Sequence, residues 1–232
     1  MSAGRSVELA RNLQSVRGRI ERAAAAASRT ADDITLVVVT KTWPATDVRL
    51  LAELGVRDVG ENRDQEAAPK AAATADLALN WHFIGQLQTN KVRSVVSYAG
   101  LVESVDRPKL VGSLEREAQR VQRQIRCLVQ VGLDAEPGRG GAAPSEVLPL
   151  AGLVAESKAL ELSGIMAVAP LDEEPLRAFE RLAVIAEELR RDHPDAVIIS
   201  AGMSADLEAA ISCGATHVRI GSAVLGHRPP VG

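Results

Sequence analysis

Residues 34–41 read Ile-Thr-Leu-Val-Val-Val-Thr-Lys, a strand-like run that ends in a lysine. Its apolar, β-branched run over residues 34–40 predicts a strand buried on both faces, as in a parallel sheet covered by helices. Thr42, Trp43 and Pro44 then end the strand. Lys41 therefore falls at the carboxyl end of a buried parallel strand, where α/β folds place their ligands.

Lys41 is a candidate nucleophile. The chain has five lysines against twenty-two arginines, so a lysine at this place is notable. Burial disfavours the charged form of an ammonium group, and a neutral lysine forms a Schiff base with an aldehyde. The alternative is a lysine that emerges at the protein surface. Taken alone, the residue favours that alternative, whereas the rest of the chain favours the nucleophile.

Composition excludes several classes of protein. A chain of 232 residues buries a substantial core, as one large α/β domain or two small ones. The net charge of −3 and the 2% aromatic content give no support to a nucleic-acid surface. Cys127 and Cys213 have no metal-type spacing, which predicts buried thiols in a reducing cytoplasm and no metal site. No signal peptide or membrane-spanning segment is visible, so we expect a cytoplasmic protein without membrane contact.

The chain alternates between strand-like and helical patterns. Apolar residues recur at helical spacing from Val7 to Ala27, which predicts a long amphipathic first helix. Strands are predicted near residues 34–40, 57–60, 80–84, 100–104, 125–131, 161–166, 196–200 and 217–220. Eight strands alternating with helices predict a single (β/α)8 TIM barrel domain over residues 1–232. The alternative is an open doubly wound sheet, but no Gly-x-Gly-x-x-Gly follows the first strand.

Two loops of small residues follow the last two strands. Residues 200–204 (Ser-Ala-Gly-Met-Ser) follow strand seven, and Gly221-Ser222 follows strand eight. Loops at these places in a barrel often bind phosphate, because small residues let backbone amides approach and serine hydroxyls add donors. Ser204 has a second interpretation as the N-cap of a helix beginning at 205–206. Gly221 has a second interpretation as a simple turn residue.

Further polar residues lie near strand ends. Arg219 precedes the last apolar residue of strand eight, where it binds the phosphate, faces the ring of a cofactor, or pairs with an acid on a neighbouring strand. Asn62 follows strand two and either hydrogen-bonds a ligand or caps the next helix, while Glu61 is a candidate helix-start charge. His82 lies within strand three, which favours a barrel-interior histidine over a catalytic base.

The chain resembles the YggS/PROSC family of pyridoxal phosphate (PLP) homeostasis proteins over nearly its whole length. The combination of motifs is specific for this family. The residues that carry it are Val39-Thr40-Lys41-Thr42 with Pro44, Gly60-Glu61-Asn62, Trp81-His82-Phe83-Ile84-Gly85 with Leu87-Gln88 and Asn90-Lys91, Ser104-Val105-Asp106, Gly202-Met203-Ser204 with Asp206, and Val218-Arg219-Ile220-Gly221-Ser222.

The resemblance implies a (β/α)8 barrel similar to the N-terminal domain of alanine racemase, with PLP held as a Schiff base on Lys41. It implies phosphate contacts around Ser204, Gly221 and Ser222, and it places Arg219 beside the pyridine nitrogen. Asn62 completes the expected cofactor-binding set. The function implied is intracellular PLP homeostasis, in which the protein buffers the cofactor or delivers it to PLP-dependent apoenzymes without turnover. We therefore assign no catalytic residue.

Two enzymes are the alternatives. A PLP-dependent amino-acid racemase of this barrel type needs a second base, and two-domain relatives supply a tyrosine from a C-terminal β domain. This sequence ends at Gly232, and its only tyrosine, Tyr98, belongs to the helix after strand three. A phosphate-sugar barrel enzyme would use Lys41 on a carbonyl substrate, but no acid–base partner is evident. We expect a monomer, the alternative being a first helix that packs against a partner.

The chain departs from the family pattern at two places. A long loop over residues 132–144, with four glycines and two prolines, is expected at the active-site face. It begins with Gly132-Leu133, where relatives often have a polar residue, and carries Arg139, where a lysine is usual. The end of strand six, residues 164–169, is more apolar than in the family. We therefore assign no ligand contact to either segment.

Overall fold

Eight parallel strands form a closed barrel in the structure, a computed structural model that describes residues 2–133 and 140–226. Each strand pairs with the next along the chain, and β8 closes the barrel by pairing with β1. All eight strands lie where the sequence places them, so the predicted (β/α)8 class is confirmed. The strands are β1 Thr35–Val39, β2 Asp58–Glu61, β3 Asn80–Phe83, β4 Leu101–Val105, β5 Ile125–Gln130, β6 Leu160–Met166, β7 Ile198–Ser200 and β8 His217–Ile220.

Helices follow the strands and cover the outside of the barrel. Short 3-10 helices lie at Ala31–Asp33 and Thr89–Lys91. The α-helices of the described residues are α1 Ser2–Ala26, α2 Ala45–Glu53, α3 Asp64–Ala73, α4 Val92–Tyr98, α5 Pro108–Arg120, α6 Pro144–Ala155, α7 Pro175–Asp192, α8 Leu207–Ser212 and α9 Ser222–Leu225. None of the helices in the described part of the chain is long and apolar enough to cross a membrane.

The predicted first helix covers the seam between β8 and β1. Its residues Leu9 and Leu13 are buried in one cluster with Val218 and Ile220 of β8. The helix after β8, α9, has only four residues, so α1 supplies the cover that a longer eighth helix gives in a regular barrel. The buried stripe differs at its start from the predicted one, because Val7 is 70% exposed.

Strand seven is shorter than predicted. It begins at Ile198, whereas the apolar pattern begins at Ala196. The amides of Ala196 and Val197 donate to the carbonyls of His193 and Asp195, so a turn after α7 uses the groups that a strand would pair. Val197 is accordingly half exposed.

The barrel interior has an apolar side and a polar side. The apolar side is a small cluster of Leu101, Leu128, Met166 and Ile198. The polar side includes His82, Glu103, Ser200 and Arg219, all buried. Buried charges are stable only when they are paired and hydrogen-bonded, so the polar side needs an explanation beyond packing.

Candidate functional site

A cavity of about 600 Å³ opens at the carboxyl ends of β1, β7 and β8. This is the end of a barrel at which ligands bind. Five of the six residues selected from the sequence line it, namely Lys41, Ser204, Arg219, Gly221 and Ser222. Val39, Thr42, Trp43, Ile84, Met203, Ala205 and Gly226 complete the lining. Lys41 and Arg219 are the titratable side chains among these described residues.

Lys41 lies on a tight turn beyond β1. The Trp43 amide donates to the Thr40 carbonyl at 3.1 Å, which closes a four-residue turn. Thr42 has φ of +70°, as the third residue of a type II turn requires, although glycine is usual there. The expectation of a buried lysine is wrong, because the strand ends at Val39 and the Lys41 side chain is exposed. It nevertheless reaches the cavity.

Ser204 and the start of α9 form one wall of the cavity. The Ser222 hydroxyl donates to Ser204 Oγ at 3.3 Å, and the Ala223 amide donates to the same oxygen at 3.4 Å. Ser204 does not cap α8, since that helix begins at Leu207 with Asp206 as its N-cap. The wall therefore offers two hydroxyls and the amide end of a short helix. These are donors of the kind that hold a phosphate.

Arg219 is fixed within β8. It is 4% exposed and donates to Ser200 Oγ at 2.7 Å and to the Ala167 carbonyl at 2.9 Å. Its Nη1 lies 3.8 Å from Glu103 Oε2 across the barrel. Of the roles considered for Arg219, the structure shows the ion pair, and the residue also lines the cavity. Burial lowers its pKa, which Glu103 opposes.

A line of alternating charges runs behind Arg219. Glu103 accepts a hydrogen bond from Ser200 at 2.6 Å and contacts His82 Nδ1 at 2.7 Å. The other ring nitrogen of His82 lies 3.2 Å from Asp58 Oδ1 at the opposite end of the barrel. The histidine is thus a structural residue of the interior, as the sequence favoured.

The charges in this line stabilise one another. Burial alone would lower the pKa of His82, but hydrogen bonds with Asp58 and Glu103 raise it to about 9. Burial would raise the pKa of Glu103, but the hydrogen bond and charge of His82, with Arg219, lower it to about 2. Burial lowers the pKa of the nearby His217 to about 4. His82 is therefore charged and His217 neutral at pH 7.

Asn62 does not line the same cavity. It borders a separate cavity of about 500 Å³ with Phe83, Gln86 and Lys91. It is not the cap of α3 either, because Arg63 occupies that position. Its backbone lies close to Gly85, since a Cβ at Gly85 would come within 2.1 Å of the Asn62 carbonyl oxygen. The chain after β2 is thus packed tightly against the chain after β3.

A cluster that the sequence did not indicate lies beneath Lys41. Lys70 of α3 is 8% exposed, and its Nζ donates to Glu61 Oε1 at 2.6 Å and to the Thr40 carbonyl at 2.8 Å. Glu66 accepts a hydrogen bond from the Thr42 amide at 2.6 Å. Glu61 is therefore a buried ion-pair partner and not a helix-start charge. The one available signal was its position at the end of the predicted second strand.

The loop after β5 is described only in part. The Gly132 amide donates to the Ala142 carbonyl, and the Ala142 amide donates to the Gln130 carbonyl, so the two ends of the loop are joined. Arg139 lies outside the described residues. Within the described ranges, no group of three or more acidic, histidine or cysteine side chains is placed to hold a metal ion.

Fold and site together define a (β/α)8 barrel protein with a lysine, an arginine and a hydroxyl-rich wall around one cavity. Residues 11–229 match the alanine racemase N-terminal domain family. The pyridoxal phosphate homeostasis proteins of Mycobacterium leprae and Mycobacterium tuberculosis are 41% and 42% identical to this chain. Each match covers 97% of this chain and, respectively, 95% and 94% of the relative.

A solved structure also resembles this chain over nearly its whole length. PipY of Synechococcus elongatus, with PLP bound, is 31% identical and has a TM-score of 0.83. The match covers 94% of this chain and all of PipY. The chain belongs to the family of the pyridoxal phosphate homeostasis proteins.

Proposed function

We propose that this protein binds PLP as a Schiff base on Lys41 and buffers or delivers it within the cell without turnover. The observation that carries the proposal is that one cavity is lined by Lys41, by Ser204, Gly221 and Ser222, and by Arg219. PLP supplies an aldehyde, a phosphate and a pyridine ring. An amine, a donor-rich wall and a fixed guanidinium are matched to these three groups.

The environments of the lysines favour Lys41 as the attachment site. Lys70 is buried and paired with Glu61, so its amine is engaged. Lys91 borders the separate cavity with Asn62, where its Nζ lies 4.0 Å from Asp64. Of the described lysines, Lys41 is the one in the lining of the main cavity. Asn62, which borders that separate cavity, is the remaining proposed contact of the cofactor.

The wall at Ser204 and Ser222 is the proposed phosphate site. Its hydroxyls contact each other at 3.3 Å, and the Ala223 amide points to the same place at 3.4 Å. A phosphate accepts hydrogen bonds from all three groups at once. Each charge-assisted hydrogen bond contributes about 1.5–3 kcal/mol, so the phosphate carries much of the affinity.

Arg219 argues against catalysis. Enzymes that use PLP as a strong electron sink pair the pyridine nitrogen with a carboxylate. A guanidinium only donates hydrogen bonds, so Arg219 favours an unprotonated pyridine nitrogen and a weak sink. The chain's only tyrosine, Tyr98, packs on Trp81 and donates to Asp64 away from this cavity. The cavity lining therefore supplies no second base among the described residues.

We further propose PLP-dependent apoenzymes as recipients and a monomer as the working state. The location proposed is the cytoplasm, which agrees with the free thiols of Cys127 and Cys213.

Two measurements test the proposed function. PLP and pyridoxal are titrated separately into the purified apoprotein, and pyridoxal is expected to bind at least about a hundredfold more weakly because it lacks the phosphate. The holoprotein is then incubated with L-amino acids in deuterated water, and α-proton exchange is followed by NMR. Exchange at about 1 per second or faster, lost in Lys41→Ala, would restore the racemase alternative.

A further inference from the structure

The turn that carries Lys41 has a backbone conformation that needs support. Thr42 is β-branched and has φ of +70°, a region in which such residues are outliers. The turn has its own hydrogen bond from the Trp43 amide to the Thr40 carbonyl. Strained residues persist where the surrounding structure holds them, and they concentrate at functional sites.

Two side chains of α3 hold this turn from outside the barrel. Glu66 Oε2 accepts from the Thr42 amide at 2.6 Å, and Lys70 Nζ donates to the Thr40 carbonyl at 2.8 Å. The two residues are four apart on one helix face, with Nζ and Oε2 separated by 3.8 Å. The peptide groups on both sides of Lys41 are therefore bound to the same helix.

Lys70 is itself fixed by buried groups. Glu61 is fully buried, and its Oε1 accepts from Lys70 at 2.6 Å and from the Thr40 hydroxyl at 2.7 Å. Glu61 Oε2 has no hydrogen-bond partner among the described residues. A buried ion pair with an unsatisfied oxygen is a poor way to gain stability. The hydrogen bond from Lys70 Nζ to the Thr40 carbonyl suggests that the pair instead fixes the Thr40 backbone.

We propose that Glu66 and Lys70 are positioning residues that hold the Thr40–Trp43 turn so that the Lys41 amine faces the cavity. The inference rests on the proposed function, since Lys41 is the amine in question. An unsupported turn would relax towards negative φ at Thr42 and would carry Lys41 with it. Glu66 and Lys70 thus keep the Lys41 amine in place for reversible bonding while it stays exposed.

Glu66→Ala is the main test variant, and Glu146→Ala is its control. Glu146 of α6 also accepts a hydrogen bond from a backbone amide, that of Ala143 at 3.2 Å, but lies away from the cavity. In the apoprotein, the Thr42 amide proton should exchange slowly with solvent, and Glu66→Ala should abolish this protection. The control should leave it unchanged. This readout does not depend on PLP.

In the second arm, PLP is titrated into each variant and the Lys41 adduct is quantified after borohydride reduction. Glu66→Ala should raise the dissociation constant at least about fivefold, the loss expected for one hydrogen bond, and Glu66→Gln should recover part of it. Glu146→Ala should bind as the wild type does. Lys70→Met should act in the same direction as Glu66→Ala, with Lys109→Met as control. If Lys70→Met fails to fold, the Glu66 variants alone test the positioning role.

Relieving the backbone strain at Thr42 gives an independent check of the positioning role. Glycine adopts positive φ without cost, so in a Thr42→Gly background the effect of Glu66→Ala should shrink. A Glu66→Ala protein that forms the Lys41 adduct with wild-type affinity would overturn the positioning role and leave the proposed function intact. A wild-type adduct on another lysine would overturn the proposed function, and the positioning role with it.

Discussion

The two cations of the cavity are held in opposite ways. Arg219 lies inside β8, is 4% exposed and is bound by Ser200, Ala167 and a buried carboxylate. Lys41 lies beyond the end of β1 on an exposed turn, and the protein binds the backbone on either side of it. The barrel thus builds one charge into its interior and leaves the amine of Lys41 accessible to solvent. The proposed role, in which a cofactor is held and released, calls for this combination.

The largest effect is expected when the interior charge loses its partner. Glu103→Gln leaves His82 and Arg219 buried without their shared carboxylate, and breaking a buried ion pair costs about 3–5 kcal/mol. Urea unfolding measures the loss. Glu187→Gln is the control, because Glu187 forms an exposed pair with Arg191 on α7 and should leave the midpoint unchanged. Equal midpoints for the two variants would show that the line of charges is not a stabilising unit.

The same line predicts how stability depends on pH. The pKa of His82 is raised to about 9, so its contribution is complete below its ordinary pKa of 6.5 and is lost as pH rises through 9. The difference of about 2.5 units corresponds to a loss of about 3 kcal/mol. The pKa of His217 is lowered to about 4, so stability is also lost as pH falls from 6.5 towards 4.

Unfolding at pH 5, 6.5 and 9 should therefore give a maximum near pH 6.5. Ring-proton NMR identifies the two groups, with His82 titrating near pH 9 and His217 near pH 4. A His82 signal that titrates near pH 6.5 would contradict the ion-paired interior.

A smaller effect is expected from the hydroxyl that supports Arg219. Ser200→Ala removes the acceptor at 2.7 Å and a donor to Glu103, which should cost about 1.5–3 kcal/mol because both partners are charged. Ser113→Ala is the matched control, since that buried hydroxyl donates only to the Lys109 carbonyl of its own helix. PLP affinity should fall in Ser200→Ala alone. If PLP affinity falls equally in both variants, the Ser200 hydroxyl does not support Arg219 in binding the cofactor.

The smallest effect concerns the strained turn. Thr42→Gly should raise the free energy of unfolding by up to about 1 kcal/mol, because relief of strain exceeds the added flexibility of the unfolded chain. Thr46→Gly in α2 should lower it by about 0.5 kcal/mol, because glycine is a weaker helix former. Two decreases in the same assay would mean that the turn at Thr42 stores no strain.

The sequence predicts the barrel well, because strand-like and helical patterns alternate along the chain until eight strands are reached. It also predicts which residues meet at the cavity from the ends of β1, β7 and β8, since strand ends in a barrel share one face. The prediction is wrong for the burial of Lys41, which depends on a turn with positive φ at a threonine. Thr42 gives no local signal of that conformation.

The sequence also fails to predict contacts between distant parts of the chain. Asn62 lies beyond β2 and Lys41 lies beyond β1, but Asn62 borders another cavity, and its backbone packs tightly on Gly85. Lys70 reads as a surface lysine of α3, because nothing near it in the sequence indicates its ion pair with Glu61. The pairing of Glu103 with Arg219 joins strands on opposite sides of the barrel.

The proposed attachment of PLP to Lys41 is tested by locating the covalent bond. The holoprotein is reduced with borohydride and digested with trypsin, with apoprotein as the control. Modification of Lys41 blocks cleavage after it, so the pyridoxyl group should appear on one peptide of residues 30–49, at about one equivalent per chain. Recovery of the group on Lys70 or Lys91, or on no lysine, would contradict the assignment of Lys41 as the amine that holds the cofactor.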